Sequence, residues 1–445
     1  MSARTVGALL VPVVVSQAFI IGFSALSPML VADAGPAAIS AVSTVEYLNV
    51  FLVGVFLALA TAGSIIVAQD LGRGTRDGAT GVAQACGATL AVSVLPALAV
   101  GAALAASSGP VAQALLGPAG DDAVGFARVY LVGLAAAYPA QALVEAVSAA
   151  LRGAARTVPA LWLTVAMNGG YLLAALVLVR CLGLGVAGLA VAIVAARYLS
   201  AVLAVLLLVK SPLLAGAGSR LRVLWRPGWA AARRVILLGI PFAAEALFFS
   251  GGKLVTQTFV VGMGTPAITA NAVAQSLISL SEIVPQAMCL ALVPIVGQAV
   301  GAGRLDDARR LIRSFLVAST GVSVAAAAAM LAVFGWLEGL YNTPDAIRRD
   351  VLAIFLLASA ARLLFWWAGS YLLPSGLRAA GDAVFTTTVA SVTMVLRVAA
   401  IWIVGVALGY GVVGVWAVQV AEWGVRSVAF AIRFHGAAWE RKARV

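Results

Sequence analysis

Glu46, Glu145, Glu245 and Glu282 stand inside long apolar stretches, with Lys253 two helical turns beyond Glu245 and the amides Asn271 and Gln275 shortly ahead of Glu282. An ionisable side chain in hydrocarbon costs about 2.5–3.5 kcal/mol on insertion scales, so each needs a compensating role. A carboxylate in that setting exchanges protons, inorganic cations or organic cations, which is binding chemistry rather than bond making. The parts for hydrolytic or metal chemistry are missing. The single histidine, His435, lies in the C-terminal tail, and Cys86, Cys181 and Cys289 have no CxxC spacing and read as small core hydrophobes. Gly72-Arg-Gly has no strand before it and no GK[ST] after it, so ATP-driven work by this chain has no support. The chain reads as a non-enzyme with no cofactor and no bound metal, powered by a gradient of H⁺ or Na⁺ or by the substrate's own.

Each candidate has a functional and a structural reading. Glu245 lies about 16 Å of helical rise beyond Arg234, near mid-membrane, and reads as a proton carrier that releases H⁺ when a cation binds. Its alternative is a fixed ion pair with Lys253. Glu46, roughly 12 Å below the outer end of its helix, pairs with Gln275 in the internal repeat described below, and Asn271 lies one turn earlier. An acidic and amide set of this kind suits a cationic amphiphile, with Tyr47 and Phe249 as aromatic walls; the alternative is hydrogen bonding between helices of one half. Glu282 precedes the kink at Pro285 and reads as a ligand contact, a gate or a structural group. Glu145 reads as a structural group that snorkels or pairs. Asn168, Arg362 and Arg397 are central in their spans, where arginines serve structure or set the charge state of a nearby glutamate. Glu422 and Arg426, four apart, pair with each other.

The elements that carry these groups follow from composition. Of 445 residues, 63% are apolar and 10% charged, with a mean hydropathy of +1.06. Soluble domains run nearer 45–50% apolar and about 25% charged. With about 20 apolar residues per span, the chain is an all-α membrane protein of twelve transmembrane helices, approximately 6–32, 38–68, 79–105, 124–150, 158–179, 185–209, 235–261, 267–299, 311–334, 350–373, 383–407 and 411–432. The runs are apolar all round, which excludes a barrel. The first stretch continues to Ala32 without a cleavage pattern and is read as a retained span. The net charge of +12 is explained by loops on one side: 19 of the 29 basic residues fall in the tails and one alternating set of connections, and few fall in the other set, Arg180 among them. Both termini are then cytoplasmic in a multi-pass protein of the cell membrane, with the lipid bilayer and a small-molecule substrate as partners, no nucleic acid, and a monomeric state.

The halves repeat. Gly35-Pro-Ala-Ala-Ile-Ser-Ala aligns with Gly264-Thr-Pro-Ala-Ile-Thr-Ala at a shift of 229, which also lays Val67-Ala-Gln-Asp-Leu-Gly-Arg-Gly over Val296-Gly-Gln-Ala-Val-Gly-Ala-Gly. A shift of 226 pairs Leu151-Arg152 with Leu377-Arg378 and Leu182-Gly-Leu-Gly-Val-Ala-Gly with Leu408-Gly-Tyr-Gly-Val-Val-Gly. Two six-helix bundles related by pseudo-twofold symmetry result: an N-terminal lobe (1–209), a basic cytoplasmic linker (210–234) and a C-terminal lobe (235–445). Two like-oriented bundles around a central cavity suit alternating access.

The same segments carry a family resemblance. Ala60-Thr-Ala-Gly-Ser-Ile-Ile-Val-Ala-Gln-Asp-Leu-Gly-Arg-Gly and Val293-Pro-Ile-Val-Gly-Gln-Ala-Val-Gly-Ala-Gly resemble the signature of the multidrug and toxic compound extrusion (MATE) family. Leu151-Arg-Gly-Ala-Ala-Arg-Thr-Val-Pro and Leu377-Arg-Ala-Ala-Gly-Asp resemble its paired LRAxGDTRTP segments, and Gly239-Ile-Pro-Phe-Ala-Ala-Glu-Ala-Leu-Phe is similar to its GLPxxxEQLLF form, which places the family's glutamate at Glu245. The resemblance implies secondary efflux of organic, often cationic compounds, drugs, toxins or metabolites, by antiport with H⁺ or Na⁺. Ser27 stands where many members have a helix 1 aspartate, so that cation site does not carry over. A flippase of a lipid-linked precursor, from the same superfamily, is the alternative; it would favour a strongly cationic cavity.

Overall fold

The computed structural model describes residues 11–16, 36–73, 76–116, 120–214, 228–339, 344–436 and 438–443. The described residues are helical, with short connections. In chain order the helices are α1 (11–16), α2 (Pro36–Arg73), α3 (Arg76–Ala106), α4 (Ser108–Leu116), α5 (Asp121–Gly153), α6 (Thr157–Ala175), α7 (Gly185–Lys210), α8 (Trp229–Gly262), α9 (Thr265–Gly301), α10 (Leu305–Ala332), α11 (Phe334–Gly339), α12 (Asp345–Leu363), α13 (Trp366–Ala379), α14 (Ala383–Ile401), α15 (Gly411–His435) and α16 (Ala438–Ala443). Among the described residues nine helices are long and apolar enough to cross a membrane, and the bent pair α12–α13 makes a tenth. Helix α15 spans 25 residues but carries Glu422 and Arg426 in its middle, which lowers its hydropathy. Of the expected first span only 11–16 is described, and Ser27 lies outside the described residues.

The chain divides into two compact units, Met1–Ala243 and Ala244–Val445. In the first, α5 is the central helix, packed against α2, α3 and α7. Its approach depends on small residues, as expected where lipid removes the hydrophobic drive between helices and close van der Waals fit must replace it. A Cβ added at Gly153 would lie 2.3 Å from the Ser64 carbonyl oxygen on α2, and one at Gly133 would lie 2.7 Å from Ala190 Cβ on α7. In the second unit, α9 packs against α10, α12 and α13, and α15 packs against α12, α13 and α14. At the start of α8, Arg234 reaches back to the buried Asp70 at the end of α2 with two bonds of 3.0 and 3.2 Å. Part of the expected linker is thus helix, and 215–227 of it lie outside the described residues.

The repeat is visible in backbone detail within each unit. A π-helical turn, Leu176–Cys181, ends the helix begun by α6, and Trp402–Ala407 ends the one begun by α14, 226 residues later. Gly183 and Gly185 follow the first turn at positive φ (66° and 53°), Gly409 and Gly411 the second (74° and 59°). Only glycine enters this conformation without penalty, which explains why the Leu-Gly-x-Gly motif occurs twice.

One expected element is corrected. The single span 350–373 is two helices, α12 and α13, bent by 55°. The break is at Phe365, in the left-handed region at φ 61°, between Leu364 and Trp366. Its residues are all apolar and include neither glycine nor proline, so hydropathy runs through it. The break is fixed by bonding: Phe365 N–H donates to Arg362 O at 3.1 Å, and Phe365 O accepts from Gly369 N–H at 2.8 Å.

Candidate functional site

Glu245 sits one turn past Pro241 on α8, and its side chain is 12% exposed. Both carboxylate oxygens accept from Nη2 of Arg378, at 2.5 and 2.7 Å, and Oε2 also accepts from Thr387 Oγ1 at 3.3 Å. Arg378 Nε donates to Thr386 Oγ1 at 3.2 Å. Helices α8, α13 and α14 therefore converge on one charge-assisted network, shorter and stronger than a neutral one. The fixed pair with Lys253 is not formed: eight residues are about 12 Å of rise, and Arg378 holds the carboxylate instead. Lys253 is exposed on α8. Arg378 lies in the last turn of α13, with its guanidinium on Glu245.

Glu282 on α9 meets Arg362 Nη2 at 3.4 Å, and the same nitrogen donates to Ser281 Oγ at 2.8 Å. Asn271, also on α9, accepts at Oδ1 from Trp416 Nε1 at 3.0 Å and donates through Nδ2 to Gln257 Oε1 at 3.3 Å, while exposed Gln275 donates to Ser279 Oγ at 3.2 Å. Glu422 meets Arg426 as expected, at 3.4 Å, and also Arg397 at 3.5 Å and Thr393 Oγ1 at 3.1 Å. Phe249, expected as a wall for an organic cation, already faces two cations of its own unit: Arg426 at 5.0 Å and Arg397 at 5.9 Å from the ring centre.

In the first unit Glu46 accepts from Asn49 Nδ2 at 2.9 Å and from the hydroxyl of the buried Tyr130 on α5. The Tyr130 bond joins two helices of one unit, the Asn49 bond stays within α2, and among the described residues no basic group pairs with Glu46. Asn168 Nδ2 turns to the carbonyl of Thr164 at 3.1 Å. Sequence reasoning passed over Arg378, Tyr130 and Thr387. Only Arg378 left a signal, its recurrence as Leu-Arg in both halves. It also passed over Asp382, which Arg433 grips at 2.6 and 3.0 Å. Among the described residues no three of His, Cys, Asp and Glu are placed to hold a metal ion.

Comparison with known proteins agrees with this architecture. The chain is 25% identical over 404 residues to the "Uncharacterized transporter YisQ" of Bacillus subtilis, covering 89% of this chain and 86% of that one. It is 29% identical over 247 residues to the "Probable multidrug resistance protein NorM" of Rhizobium meliloti, about half of each chain (52% and 50%). A solved structure described as "MATE in the bent conformation" superimposes with a TM-score of 0.86 at 14% identity, covering 99% of this chain and 97% of that one, which shows the shared fold. The MatE family model matches residues 12–177 and 241–403, both halves of the repeat. The chain is a multi-pass membrane protein that belongs to the MatE family of transporters.

Proposed function

We propose that the chain is a secondary active transporter that exports small organic compounds, cationic or amphiphilic, by alternating access coupled to antiport of H⁺ or Na⁺. The observation that carries the reading is the Glu245–Arg378–Thr387 network: a carboxylate held on α8 by an arginine from α13 and a hydroxyl from α14. A cation that takes Glu245 displaces Arg378, so occupancy of one carboxylate is coupled to the mutual placement of three helices. Exchange of that cation for substrate is the antiport step. NorM relatives named as multidrug resistance proteins support efflux over the flippase alternative. The chain works without a cofactor and without enzymatic chemistry, as a monomer in the cell membrane, with both termini in the cytoplasm.

The test is dye efflux from vesicles reconstituted with the full chain, with H⁺ and Na⁺ gradients imposed separately. One gradient should drive efflux, and Glu245→Gln should abolish that drive while the protein still folds and inserts. Equal efflux with and without either gradient, or undiminished drive in the variant, overturns the reading.

A further inference from the structure

The C-terminal unit holds a group of buried cations with too few acceptors around them. Arg362, Arg397 and Arg426 are 1%, 4% and 2% exposed. Their carboxylate partners among the described residues are two, Glu282 and Glu422, and Glu422 serves both Arg397 and Arg426. The separations are 3.4–3.5 Å, longer than the roughly 2.7–2.9 Å of a well-made charge-assisted bond. The Nε of all three arginines, Nη1 of Arg362 and the indole nitrogen of Trp423 are buried with no acceptor, and so is the Ser370 hydroxyl.

Arg397, Arg426 and Trp423 share one neighbourhood. Arg426 lies 5.0 Å from the Phe249 ring centre and 5.3 Å from that of Tyr371, Arg397 lies 5.9 Å from Phe249, and the Trp423 ring is 6.0 Å from Tyr371. Arg397 and Arg426 thus share the single carboxylate of Glu422 in a low-dielectric interior, where an uncompensated charge is costly. Every orphan in the group can donate, whereas the orphans of the first unit include the acceptors Asn49 Oδ1 and Gln141 Oε1. Water would satisfy the donors but leave the surplus charge. An acceptor carrying one negative charge satisfies both.

We propose that this cluster, formed by α13, α14 and α15 with Phe249 of α8, binds a compact monovalent anion, either a halide or the carboxylate of a small molecule. The site shares no residue with the Glu245 network and stands whether or not coupled efflux holds.

The test uses the full chain purified in detergent, with sodium chloride or sodium acetate replacing sodium 2-morpholinoethanesulfonate, a bulky anion without a carboxylate, at constant ionic strength. A saturable rise in Tm with chloride alone marks a free ion; a rise with acetate as well marks a carboxylate site. Arg397→Gln should raise the half-maximal anion concentration about tenfold or more, the value of a charged hydrogen bond. Trp423→Phe, which removes a single donor, should raise it by a smaller factor and serves where the arginine variant fails to fold. Identical Tm in all three salts, or a response unchanged in a folded variant, means that water alone fills the cluster and overturns the proposal.

Discussion

Replacing either member of the Glu245–Arg378 pair strands the other, and the size of the loss follows from the geometry. Removing one partner of a fully buried pair costs roughly 3–5 kcal/mol. Here the side chains keep 12% and 22% exposure, so solvent screens part of the interaction and about 2–3 kcal/mol is expected for Glu245→Gln or Arg378→Gln. If the C-terminal unit, Ala244–Val445, unfolds as one body of about 200 residues, each kcal/mol moves Tm by roughly 2–4 °C, so each single variant should lose about 4–12 °C. The double variant Glu245→Gln/Arg378→Gln places two neutral amides side by side and should recover much of that loss, with a coupling of about 1–3 kcal/mol. Thermal unfolding of the purified proteins measures all three against wild type. Additive losses would show that the two side chains do not act as a pair. A coupling found between Glu245→Gln and Lys253→Gln but absent with Arg378→Gln would restore the pairing along α8 and refute the network.

The break between α12 and α13 predicts that Phe365→Gly is tolerated or slightly stabilising in Tm, while Phe365→Val, β-branched at positive φ, costs about 1–2 kcal/mol; equal stability of the two would mean that the left-handed residue is not what bends the span. Cys86 and Cys289 are buried as expected of small core hydrophobes, but Cys181 is exposed, so a membrane-impermeant maleimide should label intact cells at Cys181 alone if the termini are cytoplasmic. Labelling that requires permeabilisation would invert the orientation.

The helices were legible because composition leaves no other solution: segments apolar on every face, with nowhere to put unpaired backbone groups, become helices wherever they are long enough. The repeat was legible too, since its glycines occupy backbone conformations that other residues resist. The α12–α13 bend was not, because hydropathy averages over Leu364-Phe365-Trp366 and the break is held by backbone bonds around a left-handed phenylalanine, a conformation its residue type does not announce. Partners were the least legible part. Two turns along α8 made Lys253 the nearest cation to Glu245 in sequence, yet Arg378, 133 residues away, is the one in reach. Arg378 closes its helix and Tyr130 lies within an apolar run; sequence position does not say which way a side chain turns.

Duplication has kept the scaffold of this chain and changed its charges. The π turns and positive-φ glycines recur at a spacing of 226, and Arg378 matches Arg152, but at the 229 shift Glu245 falls on Ser16 and Glu46 on Gln275. The outcome is two different electrostatic designs. In the C-terminal unit Glu245, Glu282 and Glu422 each face an arginine, so neutralising any of them strands a cation and disturbs a neighbouring helix. In the N-terminal unit Glu46 is held by Asn49 and Tyr130, both neutral. A proton taken up there breaks no ion pair, and the tyrosine hydroxyl can turn from donor to acceptor. On the proposed antiport, a change of charge at Glu245 must therefore move Arg378 and with it α13, whereas a change at Glu46 is absorbed within its hydrogen bonds. On that proposal the conformational work of the cycle falls to the C-terminal pair, and a gradient-driven step that survives loss of Arg378 would be incompatible with that division.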